Sequence, residues 1–290
     1  MTTRKMNLVV KEIESILGDN VKVEMHEVTK NNGLILHGIT IRFEDSLAAV
    51  PTLYLENYDE AHTSREIAKE IITDNAIALE QSKEITEVNP ETLVTFNDFV
   101  KSHICYRLIN KKANEELLKT VPHRHFLDLV IIYTVQITNE ASMKVTNQLL
   151  SEWNVNEETL YELAKENTPK LFSISIRSMF DTMLELMNLT REEAVMMGMP
   201  ENDTQIIATN IHGLNGATVI LYPNVIEELY AKHGKFAVLP SSIHEVIIVP
   251  MNEELTESSL TQMVQEVNEQ VVSIDEILSD HAYIYDGEWK

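Results

Sequence analysis

The chain has 290 residues, 44% hydrophobic and 24% charged, the balance of a globular protein able to bury a real core. Forty-six acidic residues against 23 basic give a formal charge of −23, which disfavours attraction to nucleic-acid phosphates or to anionic lipid. A single cysteine, Cys105, excludes an internal disulfide and fits a cytoplasmic setting, and neither a signal-peptide core nor a run of membrane-spanning length is found.

In chain order, apolar residues at Leu8, Val9, Ile13, Ile16 and Leu17 predict a helix over Asn7 to Leu17, closed by Gly18. VKVEMHEVTK (21–30) alternates apolar and polar residues, Asn31-Asn32-Gly33 signals a turn, and LILHGITIRF (34–43) returns, so a hairpin is expected. A short strand follows Pro51, and Tyr58 to Gln81 reads as a long acidic helix with Ile67, Ile71 and Ala78 on one face. FLDLVIIYTVQIT (126–138), a turn at Asn139-Glu140, and ASMKVTNQLL make a second expected hairpin, followed by a helix over Asn156 to Asn167. QIIATN and ATVILY (217–222), joined by a turn around Gly213 to Gly216, make a third, with Pro223 opening the helix NVIEELYAKHG. FAVLPSSIHEVIIVP (236–250) reads as two buried strands around a polar corner. A helix over Glu257 to Gln270, with Leu260, Val264 and Val267 inward, and a closing strand at His281 to Asp286 complete the chain.

These signals predict an α+β fold of antiparallel sheets built from recurring hairpin-then-helix units. A Met-rich helical segment precedes the C-terminal unit. There Met179, Met183 and Met187 share one helical face, which core packing explains, the alternative being an adaptable groove or flap that meets a partner. The corresponding divisions are 1–100, 101–172, 173–203 and 204–290. The acid concentrates at the end, with ten Asp or Glu between Met251 and Lys290 and one basic residue, Lys290. A solvated helix and tail account for this, with an acidic decoy of a DNA-binding protein as the sharper alternative.

The residues that could carry chemistry meet at Ser241, Ser242, His244 and Glu245. In an extended segment Ser242 and His244 point to one face, the first requirement for an activated nucleophile, but Glu245 faces away. A third group must then come from elsewhere, with Asp280 or Asp128 as candidates, and no G-x-S-x-G elbow is present. The competing reading is a polar turn whose side chains satisfy backbone groups. His123 and His125, two apart in PHRHF, project to one side of a strand and are weak candidates for a metal, with Arg124 between them disfavouring a cation. No G-x-G-x-x-G and no G-x-x-x-x-G-K-[ST] occurs, and glycine is scarce, so no nucleotide or other cofactor is expected.

NNGLILHGITI, VPHRHFLDLVIIY, LYELAKENTPKLF, NGATVILYPNVIEELY, LPSSIHEVIIVP and LSDHAYIYD together resemble a family of uncharacterised bacterial proteins. The family is a domain of unknown function frequent in Gram-positive gut anaerobes. The resemblance runs from about Val21 to Asp286 and implies one architecture in a cytoplasmic bacterial protein, with no activity or residue roles to carry over. The expectation is a noncatalytic protein whose partner is another protein, not nucleic acid or membrane. The alternative is a hydrolase using Ser242 and His244.

Overall fold

The N-terminal helix begins before its apolar stripe, at Thr3, because Thr2 caps it by accepting from the Lys5 backbone N–H, and it runs to Leu17. Gly18 ends it at φ 82°, a conformation that L side chains resist. In this computed structural model, which describes residues 1–18, 20–43, 50–81, 90–138, 141–199 and 204–290, the chain divides into two compact units, Met1–Pro90 and Glu91–Lys290.

In the first unit, strands β1 (Val21–Thr29) and β2 (Ile35–Phe43) pair antiparallel through a turn where Asn32 has φ 58°, and β3 (Thr52–Tyr54) adds to β2. Val9 and Ile13 of the first helix, Ile39 and Ile41 of β2, and Ile67 and Ile71 of the helix Ser64–Gln81 close one core. Leu8 and Ile16 lie outside it, exposed.

The second unit carries two antiparallel sheets. In one, β6 (Leu129–Gln136) lies between β4 (Ile104–Asn110) on one side and β5 (His123–Phe126) and β7 (Ser142–Lys144), end to end, on the other. All of β6 is buried. The turn expected at Asn139-Glu140 lies outside the described residues. The other sheet runs β12 (Tyr283–Tyr285), β10 (Phe236–Leu239), β11 (Val246–Pro250), β9 (Ile206–Asn210), β8 (Ile174–Ser178). Its inner face, with Phe236, Val238, Val246 and Ile248, shares one apolar core with Tyr106, Leu108, Ile131 and Tyr133 and with Leu160 and Ala164 of the helix Glu157–Leu171. The fold is thus α+β with antiparallel sheets, as the sequence predicts.

Two expectations are corrected. The third hairpin does not form: ATVILY lies in a 3₁₀ helix, Gly216–Leu221, instead of a strand. Gly216 to Ile220 are all buried, and an apolar run without alternation does not distinguish a strand from a helical segment enclosed on every side. The methionine stripe does not face the core either. In the helix Met179–Met187 it is Phe180 and Leu184 that are buried, against Ala194, while Met183 and Met187 are 37% and 50% exposed. Residues spaced by four lie on one face whichever face is turned inward, and Phe180 and Leu184 have that spacing too. Val267, expected inward, is also exposed.

Ile248 tests the core directly, because it is fully buried on the inner face of β11. Ile248→Asp places an unpaired carboxylate there and is expected to cost several kcal/mol, leaving little soluble protein. A denaturant melt with the wild-type midpoint would overturn this account of the sheet.

Candidate functional site

The polar corner forms where β10 and β11 leave their ladder. Ile243 N–H donates to Glu276 O, Leu278 N–H to Ser241 O and Ser279 N–H to Pro240 O, which stitches the corner to the segment before β12. Ser242 is 7% exposed, and its Oγ accepts from the backbone N–H of His244 at 3.0 Å. The His244 ring does not take up that hydroxyl. Its Nδ1 accepts from Asn215 N–H at 3.3 Å, so the neutral ring carries its hydrogen on Nε2, which faces Glu276 Oε1 at 3.4 Å. Both imidazole nitrogens are engaged, and neither is aligned to take a proton from Ser242. Ser242, His244, Glu245 and Glu276 line an open cleft of about 480 Å³. The Glu245 carboxyl is pushed above its ordinary value by desolvation first, with His244 lowering it in part and the Glu276 charge adding the smallest, raising contribution.

Asp280 and Asp128, the candidates for a third group, engage another histidine. His281 Nδ1 lies 2.9 Å from Asp280 Oδ1 and its Nε2 3.6 Å from Asp128 Oδ2. Tyr283 donates to Asp128 Oδ1 at 2.5 Å and to Ser279 Oγ at 3.1 Å. Ser279 is 1% exposed, whereas the His281, Asp128 and Asp280 side chains reach solvent. His123 and His125 sit on one side of β5 with rings 5.8 Å apart. Arg124 points the other way, binding Glu157 and Glu158 and stacking on Tyr161. Among the described residues no three His, Cys, Asp or Glu side chains are grouped to hold a metal ion.

What the corner supports is the loop beside it. Thr209 donates through Oγ1 to His244 O at 2.7 Å, Ala217 N–H donates to Ile243 O, and Asn215, held at φ 52°, presents its N–H to His244. Gly216 lies so close that a Cβ there would stand 2.4 Å from His244 O and 2.8 Å from Asn210 N. Asn210 ties the loop to itself, donating to Leu214 O and accepting from His212 N–H.

The far side of this loop closes a small cavity against the other sheet. About 20 Å³ in volume, it is lined by Cys105, Tyr106 and Arg107 of β4, Thr134 and Gln136 of β6, Thr168 and Phe172, and Asn210, Leu214, Asn215 and Thr218 of the loop. Register explains the polarity. Cys105 pairs with Thr134 and Thr134 with Lys144, while Arg107 pairs with Ile132 and Gln136 with Ser142, so one face of the sheet carries Cys105, Arg107, Thr134, Gln136, Ser142 and Lys144. Further along, the same face turns apolar at Ile109, Val130 and Ile132.

Inside the cavity Thr134 is 2% exposed and its Oγ1 has no hydrogen-bond partner among the described residues. Arg107 Nη2 donates to Ser142 Oγ at 2.7 Å, and no described carboxylate lies within ion-pair distance of the guanidinium. Desolvation lowers the Arg107 pKa. The Cys105 thiol is pushed up to about 12 by burial, which keeps it protonated and unreactive at neutral pH. Arg107, Lys144, Thr134, Gln136 and Glu276 were not singled out from sequence. The available signal was a charged residue in the apolar run ICYRLIN and two polar residues closing LVIIYTVQ.

The fold and this cavity define an α+β protein with a small buried polar cavity and a corner that holds the adjoining loop in shape. The model of a family of unknown function, DUF5688, matches residues 5–287, and the chain belongs to that family. No curated protein and no solved structure matches it.

Ser242→Ala leaves the His244 N–H without its acceptor and is expected to cost about 1–3 kcal/mol. Gly216→Ala drives a methyl into backbone and is expected to cost at least about as much. Wild-type stability in both variants would show that the corner does not hold the loop. Glu245 gives a pH signature. Its folded pKa lies above the unfolded one, so the folded state binds more protons, and stability falls as pH rises from near the ordinary value of 4.5. Glu245→Gln should therefore raise the melting temperature at pH 7 but not at pH 4. Equal shifts at the two values would refute the buried-charge account.

Proposed function

We propose that this protein is a noncatalytic binding protein whose recognition element is the polar cavity between β4, β6 and the loop 210–218. The observation that carries the reading is the buried, unpartnered Oγ1 of Thr134 in a cavity large enough for one water-sized group. A buried polar atom without a partner costs about 1–3 kcal/mol, and a ligand that supplies the bond recovers that stability. The corner supports the same reading from the other side, since its serine and imidazole are committed to backbone amides and to Glu276. A hydrolase at Ser242 and His244 would need both bonds broken and the ring turned. No helix among the described residues is long and apolar enough to cross a membrane, and we place the protein in the cytoplasm with a small molecule, or one end group of a protein partner, as the bound species.

The test is a thermal-shift screen of wild type and Thr134→Val against small molecules sorted by polar end group, followed by incubation with any that bind. A saturable rise in melting temperature that Thr134→Val removes, with the compound recovered intact, is the expected result. A bound ester or amide that is consumed by wild type and spared by His244→Ala would overturn the noncatalytic reading and establish the corner as the active site.

A further inference from the structure

We infer that the group bound in this cavity is a carboxylate on a small, partly apolar molecule, held by Arg107 with Lys144 beside it. The inference rests on the binding reading above and names its ligand class. In a chain with twice as many acids as bases, the partly buried Arg124 binds Glu157 and Glu158, and Arg177 and Arg191 pair nearer the surface with Glu185 and Asp181. Arg107 and Lys144 have no such partner among the described residues.

They lie on the same face of the sheet, one register step apart across β6, because Lys144 pairs with Thr134 and Arg107 with Ile132. Two cations repel each other, and the Arg107 charge lowers the tendency of Lys144 to hold its own. Desolvation is the larger cause of the lowered Lys144 pKa and the Arg107 charge the second. Lys144 is exposed, so solvent screens both effects at its ammonium. An anion between the two would relieve both effects.

The neutral groups narrow the class. Thr134 Oγ1 is free to donate to an oxygen, and Arg107 keeps donors beyond the Nη2 contact to Ser142, in the fork geometry that matches a carboxylate edge. The volume of about 20 Å³, enough for a water-sized group, takes a leading oxygen of a carboxylate and leaves the rest of the molecule outside. No glycine-rich turn presents a row of amides for phosphate: the lining contains no glycine, and Gly216 of the loop is buried against Thr209 and His244. Phe172 and Leu214, half-buried in the lining, offer apolar surface to a short tail.

Calorimetric titration with sodium propionate, propionamide and sodium phosphate at constant ionic strength tests this on the full chain. Expected is saturable propionate binding that falls at least about tenfold in Arg107→Gln and less steeply in Lys144→Gln, with Arg107→Lys intermediate because the fork is lost while the charge remains. Because Arg107→Gln changes a partly buried residue, its melt is compared with wild type, and Lys144→Gln supplies a surface variant that leaves the fold intact. Phosphate binding with the same dependence on Arg107, in place of propionate, would overturn the carboxylate assignment. Propionamide binding as tightly as propionate, unaffected by Arg107→Gln, would overturn the charge-based class while leaving the cavity a binding site. Failure of all three probes in folded wild type would overturn the inference, and failure of the broader screen as well would remove the binding reading.

Discussion

The complete burial of β6 is the constraint from which the rest of the second unit follows. A strand flanked by β4 on one edge and by β5 and β7 on the other, with every residue from Leu129 to Gln136 covered, has no solvent face. Its side chains must be satisfied within the protein on both sides. On one side this is simple, because Leu129, Ile131, Tyr133 and Val135 enter the main core, each large apolar side chain contributing about 1.5–3 kcal/mol. Tyr133 keeps its hydroxyl on Glu157, which in turn holds Arg124. On the other side Val130 and Ile132 join a small apolar cluster, and then the face changes character at Thr134 and Gln136.

That change creates the cavity. Polar residues on a buried strand need partners, and β4 and β7 bring Cys105, Arg107, Ser142 and Lys144 to the same region while the loop 210–218 closes over it. Gln136 donates to Thr138 O and Arg107 in part to Ser142, but Thr134 Oγ1 has no partner among the described residues. The loop cannot relax to fill the space, because Gly216 packs on His244 O and Asn210 N, and Asn215 is pinned by the imidazole. The shape of the cavity is thus set by backbone contacts formed on the other side of the loop. The corner with the most suggestive residue types serves as scaffold, and the less conspicuous strand face carries the buried polar groups.

Much of the architecture was legible in the residues. The turn at Asn31-Asn32-Gly33, the cap at Gly18, the helix Glu257–Gln270 and the strand pair flanking Ser241 to Glu245 follow from local chemistry that acts over a few residues: φ preferences, side-chain caps and periodicity. The failures share a cause. ATVILY and the Met179, Met183, Met187 stripe are patterns with two physical solutions, and only neighbours distant in sequence choose between them.

Ser242 and His244 stand close in the chain, and sequence alone brings them to one corner. Whether the hydroxyl meets the ring or the backbone depended on Asn215 and Glu276, 29 and 32 positions from His244, which take the two ring nitrogens. Arg107, Thr134 and Lys144 show the complementary case, since each is an ordinary residue in its own strand and the juxtaposition arises from registers across β4, β6 and β7. Composition and local pattern determined that the chain would be an acidic α+β protein with antiparallel sheets. Tertiary structure decided which polar groups find partners and which remain open, because hydrogen bonds and charges are satisfied by proximity in space, which strand register and loop packing set.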